Sequence, residues 1–518
     1  MAPAVPADPA PRRPTYRAGF DFLAHLEEFL RAPPPETLLI LGPAGSGKST
    51  LLRTLITRLR PPGVFLAYRV NQTPPEVHRS TEPDVPSVSL LLVDPNVGEG
   101  SAPKGPAEAP SHLMGFAPTA AQTREELPPP LMEAIVRLAS QGGGYVVVDT
   151  WDAASEREFR TRAGDGAAVH LVSASAQFMR AQFGRLPVRA ILAQTGESDP
   201  SLLSESDGVI DLGWEEEQGF RIRVLNILKL RHTPAPESRY LYSLDGGHFY
   251  CPPQFAPGFR PPVGPPDADP TPDEPSLFPG STAFAEAFGR LSYRGLTAIE
   301  VPNRFTAPVG DVFLYPLVAH TISVGGRVVW VPSAGSGAAQ IVHQLERFVP
   351  PDFLRDRLRV LSAGGEERGL GDLRSVVMPV RREASEGGEL RAAIAPAVAP
   401  LFPDAYRFLL AAPEGRPSLY VIFLDGIAAL ASVAEIPMKV ETYPLVVSSY
   451  MRIPRFHGFG FGRADDPITQ ALLRQVDTHL RVSEKYGRTL LFGMRPRTNP
   501  YILDWTDDSG RYSLVPVR

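Results

Sequence analysis

The sequence predicts an α/β protein of two tandem domains, each with a mostly parallel central sheet. Three observations carry that expectation. Short runs of Val, Ile and Leu alternate with helical segments, as strands buried on both faces of a sheet require. A proline-rich stretch without helical or strand period divides the 518 residues into halves of similar length. The order of apolar runs in the first half recurs in the second.

Residues 1–14 read as a disordered lead, 15–251 as the first domain, 252–281 as a stiff linker and 282–518 as the second domain. In the first domain Thr37–Leu41 is a short apolar strand and Lys48–Leu59 a helix. Val64–Val70 and Val88–Val93 are further strands, Gly98–Pro118 a long loop and Leu131–Ser140 a helix. Tyr145–Asp149, Val188–Ala193, Gly208–Leu212 and Arg221–Leu228 complete the strands. The second half echoes this order. Leu296–Pro302 answers Thr37–Pro43, Gly326–Val331 answers Gly63–Tyr68, and Tyr420–Asp425 answers Tyr145–Asp149. Ile502–Gly510 is matched to Val209–Gly219, so the offset between the halves grows along the chain, as insertions into a duplicated domain would make it.

Composition excludes several classes. Hydrophobic content of 43% with 21% charged residues is globular usage, and the net charge of −5 provides no global basic field for nucleic acid. The single cysteine, Cys251, rules out an internal disulfide and a cysteine-rich metal site, and points to a reducing, cytoplasmic compartment. The N-terminus lacks the apolar core of a signal peptide, and no uncharged apolar run is long enough to span a membrane. Leu419–Ala434 comes nearest, but Asp425 interrupts it, and it reads as a strand followed by a helix.

The strongest chemical signal is Gly42-Pro-Ala-Gly-Ser-Gly-Lys-Ser49, between an apolar strand and a helix. Glycines let successive backbone N–H groups turn inward around a polyphosphate, and the helix N-terminus adds its dipole. Gly42, Pro43, Ala44, Gly45, Ser46, Gly47, Lys48, Ser49 and Thr50 are the expected nucleotide contacts. Lys48 is placed to bridge the β- and γ-phosphates of ATP, and the Ser49 hydroxyl to ligate Mg²⁺. Lysine occurs only five times in the chain, and one of the five is here. Tyr145-Val-Val-Val-Asp149 ends an apolar strand in a carboxylate that would hold Mg²⁺ through water; a buried strand that merely ends in Asp is the plainer reading.

Asp207-Gly-Val-Ile-Asp-Leu212, Ile227-Leu-Lys-Leu-Arg231 and the closing hairpin Tyr240–Tyr250 then give the chain a resemblance to the RecA-like P-loop ATPases of the KaiC group. The P-loop gas-vesicle regulators are a fainter likeness. The resemblance implies two tandem RecA-like domains, Mg²⁺-ATP as ligand and a homo-oligomeric ring, a hexamer in that group. It also implies that Lys229 and Arg231 reach the γ-phosphate of the neighbouring subunit as an arginine-finger device.

Two departures qualify it. The paired glutamates that position the attacking water in that group are replaced by Arg69 and Val70; Glu76 could substitute only if its loop folds back, and Asp152, the other candidate, reads more plainly as a helix cap, so hydrolysis should be slow. In the second half the P-loop position reads Val301-Pro-Asn-Arg-Phe-Thr-Ala-Pro308, without glycines or lysine. Pro332-Ser-Ala-Gly-Ser-Gly-Ala-Ala339 mimics the loop one strand later but also lacks Lys and Ser/Thr at the end. The second domain is therefore expected to be degenerate, a nucleotide-free structural or partner-binding domain. On the fourth echo the chain would end before any counterpart of Lys229.

The histidines show no metal-ligand spacing, and Arg12-Arg13, Arg355–Arg359 and Arg381-Arg382 read as solvated basic patches. Three functions follow. A slow, KaiC-like regulatory ATPase completed at a subunit interface leads. A pseudo-ATPase scaffold that binds ATP without turnover is the alternative. A DNA-handling recombinase or helicase is disfavoured by the acidic charge and the lack of aromatic–basic clusters.

Overall fold

The computed structural model describes residues 21–33, 37–59, 63–67, 88–92, 129–149, 151, 187–195, 200–234, 237–252, 263–302, 308–362, 369–380, 402–433, 450–505 and 511–517. Residues 1–14, the loop Gly98–Pro118, and Arg69, Val70, Glu76, Asp152, Arg381 and Arg382 lie outside them. By its contacts the chain forms two compact units, one built on Ala18–Phe255 and one on Ala256–Pro516. Both are mixed α/β with mostly parallel sheets. No helix among the described residues is long and apolar enough to cross a membrane.

The N-terminal unit runs α1 (Phe22–Arg31), β1 (Thr37–Leu41), α2 (Lys48–Leu59), β2 (Gly63–Ala67), β3 (Val88–Leu92), α3 (Pro129–Ser140), β4 (Gly144–Asp149), β5 (Val188–Ala193), α4 (Pro200–Glu205), β6 (Gly208–Glu217), β7 (Phe220–Leu230) and β8 (Arg239–Leu241). The sheet order is β3-β2-β4-β5-β1-β6-β7-β8. Strands β3 to β6 are parallel, and β7 and β8 antiparallel. Every residue of β1 is buried because both faces are covered. Leu38 and Ile40 enter a core with α1 and α2, while Leu39 and Leu41 enter a second core with α3. Asp21 caps α1, accepting from the backbone N–H groups of Leu23 and Ala24.

Strands β6 and β7 run further than the sequence suggests. Gln218 and Gly219 both have positive φ, the two-residue turn whose twist matches paired strands, so the hairpin extends to Glu217 and Phe220. A bulge between Val209 and Ile210 then turns Leu228 outward, where it is 58% exposed.

The C-terminal unit contains β9 (Ser276–Leu277), α5 (Thr282–Phe288), β10 (Leu291–Ser292), β11 (Gly295–Val301), α6 (Pro308–Ser323), β12 (Arg327–Val331), α7 (Ala338–Leu345), α8 (Pro351–Arg357), β13 (Leu358–Ser362) and β14 (Val377–Pro379). It continues with α9 (Pro403–Leu410), β15 (Ser418–Phe423), α10 (Leu424–Val433), β16 (Phe456–Arg463), α11 (Pro467–Leu473), β17 (Thr478–Lys485), β18 (Arg488–Arg495), β19 (Arg497–Trp505) and β20 (Tyr512–Pro516). The main sheet is ordered β14-β13-β12-β15-β16-β11-β17-β18-β19-β20, parallel up to β17. As expected, Leu419–Ala434 supplies a strand and then a helix, β15 and α10.

The run β2-β4-β5-β1-β6-β7 has the same order as β12-β15-β16-β11-β17-β18. Three of the four sequence echoes fall on strands at the same place in this order. The fourth does not. Ile502–Trp505 lies in β19, two strands beyond β17, the positional partner of β6. Asp207 and Asp477 mark the true correspondence. Each carboxylate accepts an N–H at the start of the middle strand, β1 or β11, from Thr37 at 3.1 Å and Leu296 at 2.8 Å, and each returns its own N–H to that residue's carbonyl. Both hairpins carry a bulge at the next position but one, and Val209 pairs with Lys229 as His479 pairs with Arg495. Lys229-Leu-Arg231 therefore does have a counterpart, Arg495-Pro-Arg497. The chance likeness of Ile502-Leu-Asp-Trp to Val209-Ile-Asp-Leu obscured it.

From residue 263 the stretch read as a linker packs into the C-terminal unit. Leu277 and Phe278 are buried and β9 pairs with β10. Arg290 holds Asp269 through two hydrogen bonds of 2.7 and 2.9 Å, and this bonding keeps the carboxyl below its ordinary range. Proline spacing gave no sign of it, because the anchors are single residues between prolines.

Candidate functional site

The glycine loop leaves β1 at its C-terminal end and enters α2. Gly42, Gly45 and Gly47 all take positive φ, at 144°, 79° and 97°. A Cβ on Gly42 would lie 2.3 Å from the Leu212 carbonyl oxygen, and one on Gly47 would lie 2.7 Å from the Leu244 side chain. Conformation and space both demand glycine there. Lys48 is buried, and its Nζ donates to the carbonyls of Gly42 at 2.6 Å and Pro43 at 3.0 Å, folded over the loop.

Asp149 ends β4, one strand away from β1 across β5. The sheet brings it to the loop: the Ser49 hydroxyl donates to Asp149 Oδ2 at 2.6 Å. Asp149 is only 5% exposed, and its Oδ1 is buried without a hydrogen-bond partner among the described residues. A buried carboxylate oxygen left in that state costs about 1–3 kcal/mol unless a ligand or water meets it. The donor set, a hydroxyl and a carboxylate, is hard oxygen chemistry that suits Mg²⁺.

Sequence reasoning missed the outer wall of the loop. Tyr242 O–H donates to the Ser46 carbonyl at 2.5 Å and its ring stacks on Phe249 at 4.8 Å. Burial pushes the Tyr242 phenol up to about 12, against the opposing pull of Arg223. Arg223 donates to the Gly45 carbonyl at 3.1 Å. In a trans peptide the C=O and the following N–H point opposite ways. Holding the Ser46 carbonyl outward therefore aims the Gly47 N–H inward. These residues arrive from β7 and just past β8, nearly two hundred positions along the chain, and the alternation of Tyr240 and Tyr242 was their only trace.

Lys229 and Arg231 lie at the opposite edge of the sheet. Arg231 pairs with Asp207 at 2.8 Å and donates to the Ser204 carbonyl, and Asp207 in turn binds Thr37, at the start of β1 rather than its end. Lys229 donates to the Ser204 carbonyl at 2.9 Å. Neither side chain is placed to serve the loop of its own unit.

In the C-terminal unit Glu300 and Val301 stand in register with Leu41 and Gly42, and Arg481 opposite Glu300 as Asp211 stands opposite Leu41. Glu300 is buried and accepts from His479 at 2.9 Å and Arg481 at 2.8 Å. Burial alone would raise its pKa, but these two bonds outweigh it and hold the carboxyl below the ordinary value. Asp425 lies in the first turn of α10 rather than at a strand end, and accepts from the Ser333 hydroxyl at 2.7 Å. The loop between β12 and α7 repeats the Ala-Gly-Ser-Gly run, but neither Gly335 nor Gly337 takes the positive φ of Gly45 and Gly47. Residues 303–307 lie outside the described set.

No protein-family model matches the chain, and no curated protein matches its sequence.

Proposed function

We propose that the chain is a Mg²⁺-ATP-binding regulatory ATPase of the KaiC-like, RecA-type P-loop class, with a second domain of that type that has lost its nucleotide site. The observation that carries the reading is the Ser49–Asp149 hydrogen bond beside the glycine loop, with Asp149 Oδ1 unpartnered. Ser49 and Asp149 would hold Mg²⁺, Asp149 through water, and the ion would neutralise charge between the β- and γ-phosphates. Loop amides from Gly42 to Thr50 would hold the phosphates, with Lys48 released from the Gly42 and Pro43 carbonyls to pair with them. Turnover is slow and occurs in the cytoplasm, within a homo-oligomer that supplies Lys229 and Arg231 from the adjacent copy. ATP occupancy governs assembly and the binding of a protein partner through the C-terminal unit.

Calorimetric titration with Mg²⁺-ATP tests this. Wild type binds, and Asp149→Asn keeps binding ATP but loses about tenfold of the enhancement by Mg²⁺, roughly 1.4 kcal/mol. A wild-type protein with no affinity for ATP at millimolar Mg²⁺ ends the proposal. Binding without turnover is the second reading, favoured by Arg231 being held by Asp207. Single-turnover hydrolysis separates the two.

A further inference from the structure

Five neighbouring parallel strands of the C-terminal sheet, β13-β12-β15-β16-β11, begin on one edge. An arginine stands at or just before the start of every one. Arg357 and Arg359 flank the start of β13 and Arg327 opens β12. Arg416, Arg455 and Arg294 precede β15, β16 and β11. At strand spacing the row spans about 19 Å.

Hydrogen bonds and ring contacts hold five of them along this edge. Arg357 donates to the Ile322 carbonyl and Arg416 to that of Val324, both at 2.8–2.9 Å, while Arg455 donates to Gly415, next to Arg416. Arg327 donates to the Phe408 carbonyl, and the guanidinium groups of Arg327 and Arg359 lie 4.8 and 4.5 Å from the Phe408 ring. The Ile322, Val324 and Phe408 acceptors are carbonyls at or near the C-terminal ends of α6 and α9, where a cation meets the negative pole of the helix. A carbonyl orients a guanidinium without cancelling its charge. Among the described residues none of the six forms an ion pair. Burial and the neighbouring Arg327 both push the pKa of Arg359 down, as crowded like charges do. Of the nearby carboxylates, Asp352 and Asp404 are taken up by Arg355 and Arg407 and Asp477 accepts from the Leu296 N–H, leaving Asp356 and Glu414 against the row.

The patch also carries exposed apolar side chains. Phe353 is 38% exposed under Arg357, whose guanidinium lies 4.2 Å from its ring, and Leu410, two residues past Phe408, is 50% exposed. Arginine beside exposed aromatic and aliphatic groups is the composition of protein interfaces. A leucine gives nothing to a phosphate backbone.

We propose that this arginine-lined edge docks an acidic, amphipathic segment of a partner protein, the carboxylates pairing with the arginine row and the apolar residues seated on Phe353 and Leu410. This deepens the proposed partner-binding role of the C-terminal unit by naming the surface and the chemistry that fits it.

Fluorescence anisotropy of the full chain without nucleotide tests it, with labelled peptides of repeating Leu-Glu-Glu, of glutamate alone, and an oligothymidine. The Leu-Glu-Glu peptide binds best and weakens with salt. Arg416→Glu with Arg455→Glu lowers its affinity at least about tenfold. Phe353→Ser with Leu410→Ser, both on exposed side chains, lowers it several-fold and leaves polyglutamate unchanged. No peptide binding, binding indifferent to both pairs, or tighter binding of oligothymidine overturns the proposal. So does dimerisation of the chain through this edge, lost in Arg416→Glu. Because nucleotide is absent, Lys48→Ala binds the peptide like wild type, so this inference and the ATP reading fail separately.

Discussion

The two units share a run of six strands in the same order, and the exit from the strand at the middle of that run differs between them. In the N-terminal unit β1 ends in Leu41 and a loop of positive-φ glycines, with Lys48, Ser49 and Asp149 gathered around it. In the C-terminal unit the same register holds Glu300, with its charge met by His479 and Arg481. One unit keeps a carboxylate oxygen of Asp149 beside the loop without a hydrogen-bond partner among the described residues. The other has put an anion of its own there and satisfied it. The fold tolerates both because the change touches the end of one strand, while the sheet rests on apolar runs and on the Asp207 and Asp477 anchors that the two units share. One scaffold can thus carry different polar groups at the same place.

The largest test of the glycine loop exchanges glycine for alanine there and in the similar Ala-Gly-Ser-Gly run after β12. Gly42→Ala places a methyl 2.3 Å from a backbone oxygen at φ 144°, and neither can yield. We expect about 2–4 kcal/mol of destabilisation and no measurable ATP binding. Gly335→Ala, with nothing within 4 Å of the new Cβ and no positive φ, stays within about 0.5 kcal/mol by denaturant unfolding. Equal effects would erase the distinction between the loops. Lys48→Ala is the next largest, lowering ATP affinity about a hundredfold in calorimetry, roughly 2.7 kcal/mol, with the unfolding midpoint little changed.

Glu300 sharpens the comparison from the other side. Its folded-state pKa is depressed, so the stability it contributes is present above the unfolded carboxyl value of about 4.3 and is lost as pH falls through the folded value. Unfolding of the C-terminal unit, followed in urea between pH 6 and pH 3 (about the carboxylate range), should weaken progressively on acidification. Glu300→Gln should cost about 1–3 kcal/mol at neutral pH and flatten that dependence. A variant that keeps the wild-type acid slope would place the titrating group elsewhere, with Asp269 the next to examine.

Much of this was legible beforehand, for a physical reason. The glycine loop, β1 and α2 are contiguous, so pattern and spacing report them directly. Asp149 could be placed because an apolar strand ending in a carboxylate has few destinations in a parallel sheet. Tyr242, Arg223 and Leu244 were not legible, since an antiparallel hairpin returns them to the loop and no local period encodes that return. The anchoring of residues 263–281 escaped for a related reason: Asp269 and Arg290 meet only after the chain doubles back. The fourth echo failed because similarity of letters was taken for similarity of place. The pairing of Val209 with Lys229 and of His479 with Arg495 belongs to the sheet, and no alignment of apolar runs contains it.

The smallest expected effects separate the two cations of β7. Arg231 is a strut in its own subunit, pairing with the Asp207 that closes the start of β1. Both groups are partly exposed, so Arg231→Ala should cost only about 1 kcal/mol, a shift of a few degrees in Tm. Lys229 is held by main-chain carbonyls, with no change of charge balance when they are released to water. Lys229→Ala should leave Tm alone and lower single-turnover hydrolysis in proportion to what it lends a neighbouring nucleotide. Arg231→Ala should lower both. If hydrolysis responds to neither variant while Tm responds to Arg231→Ala, the pair serves the sheet alone, and the N-terminal unit binds its nucleotide without help from the next copy.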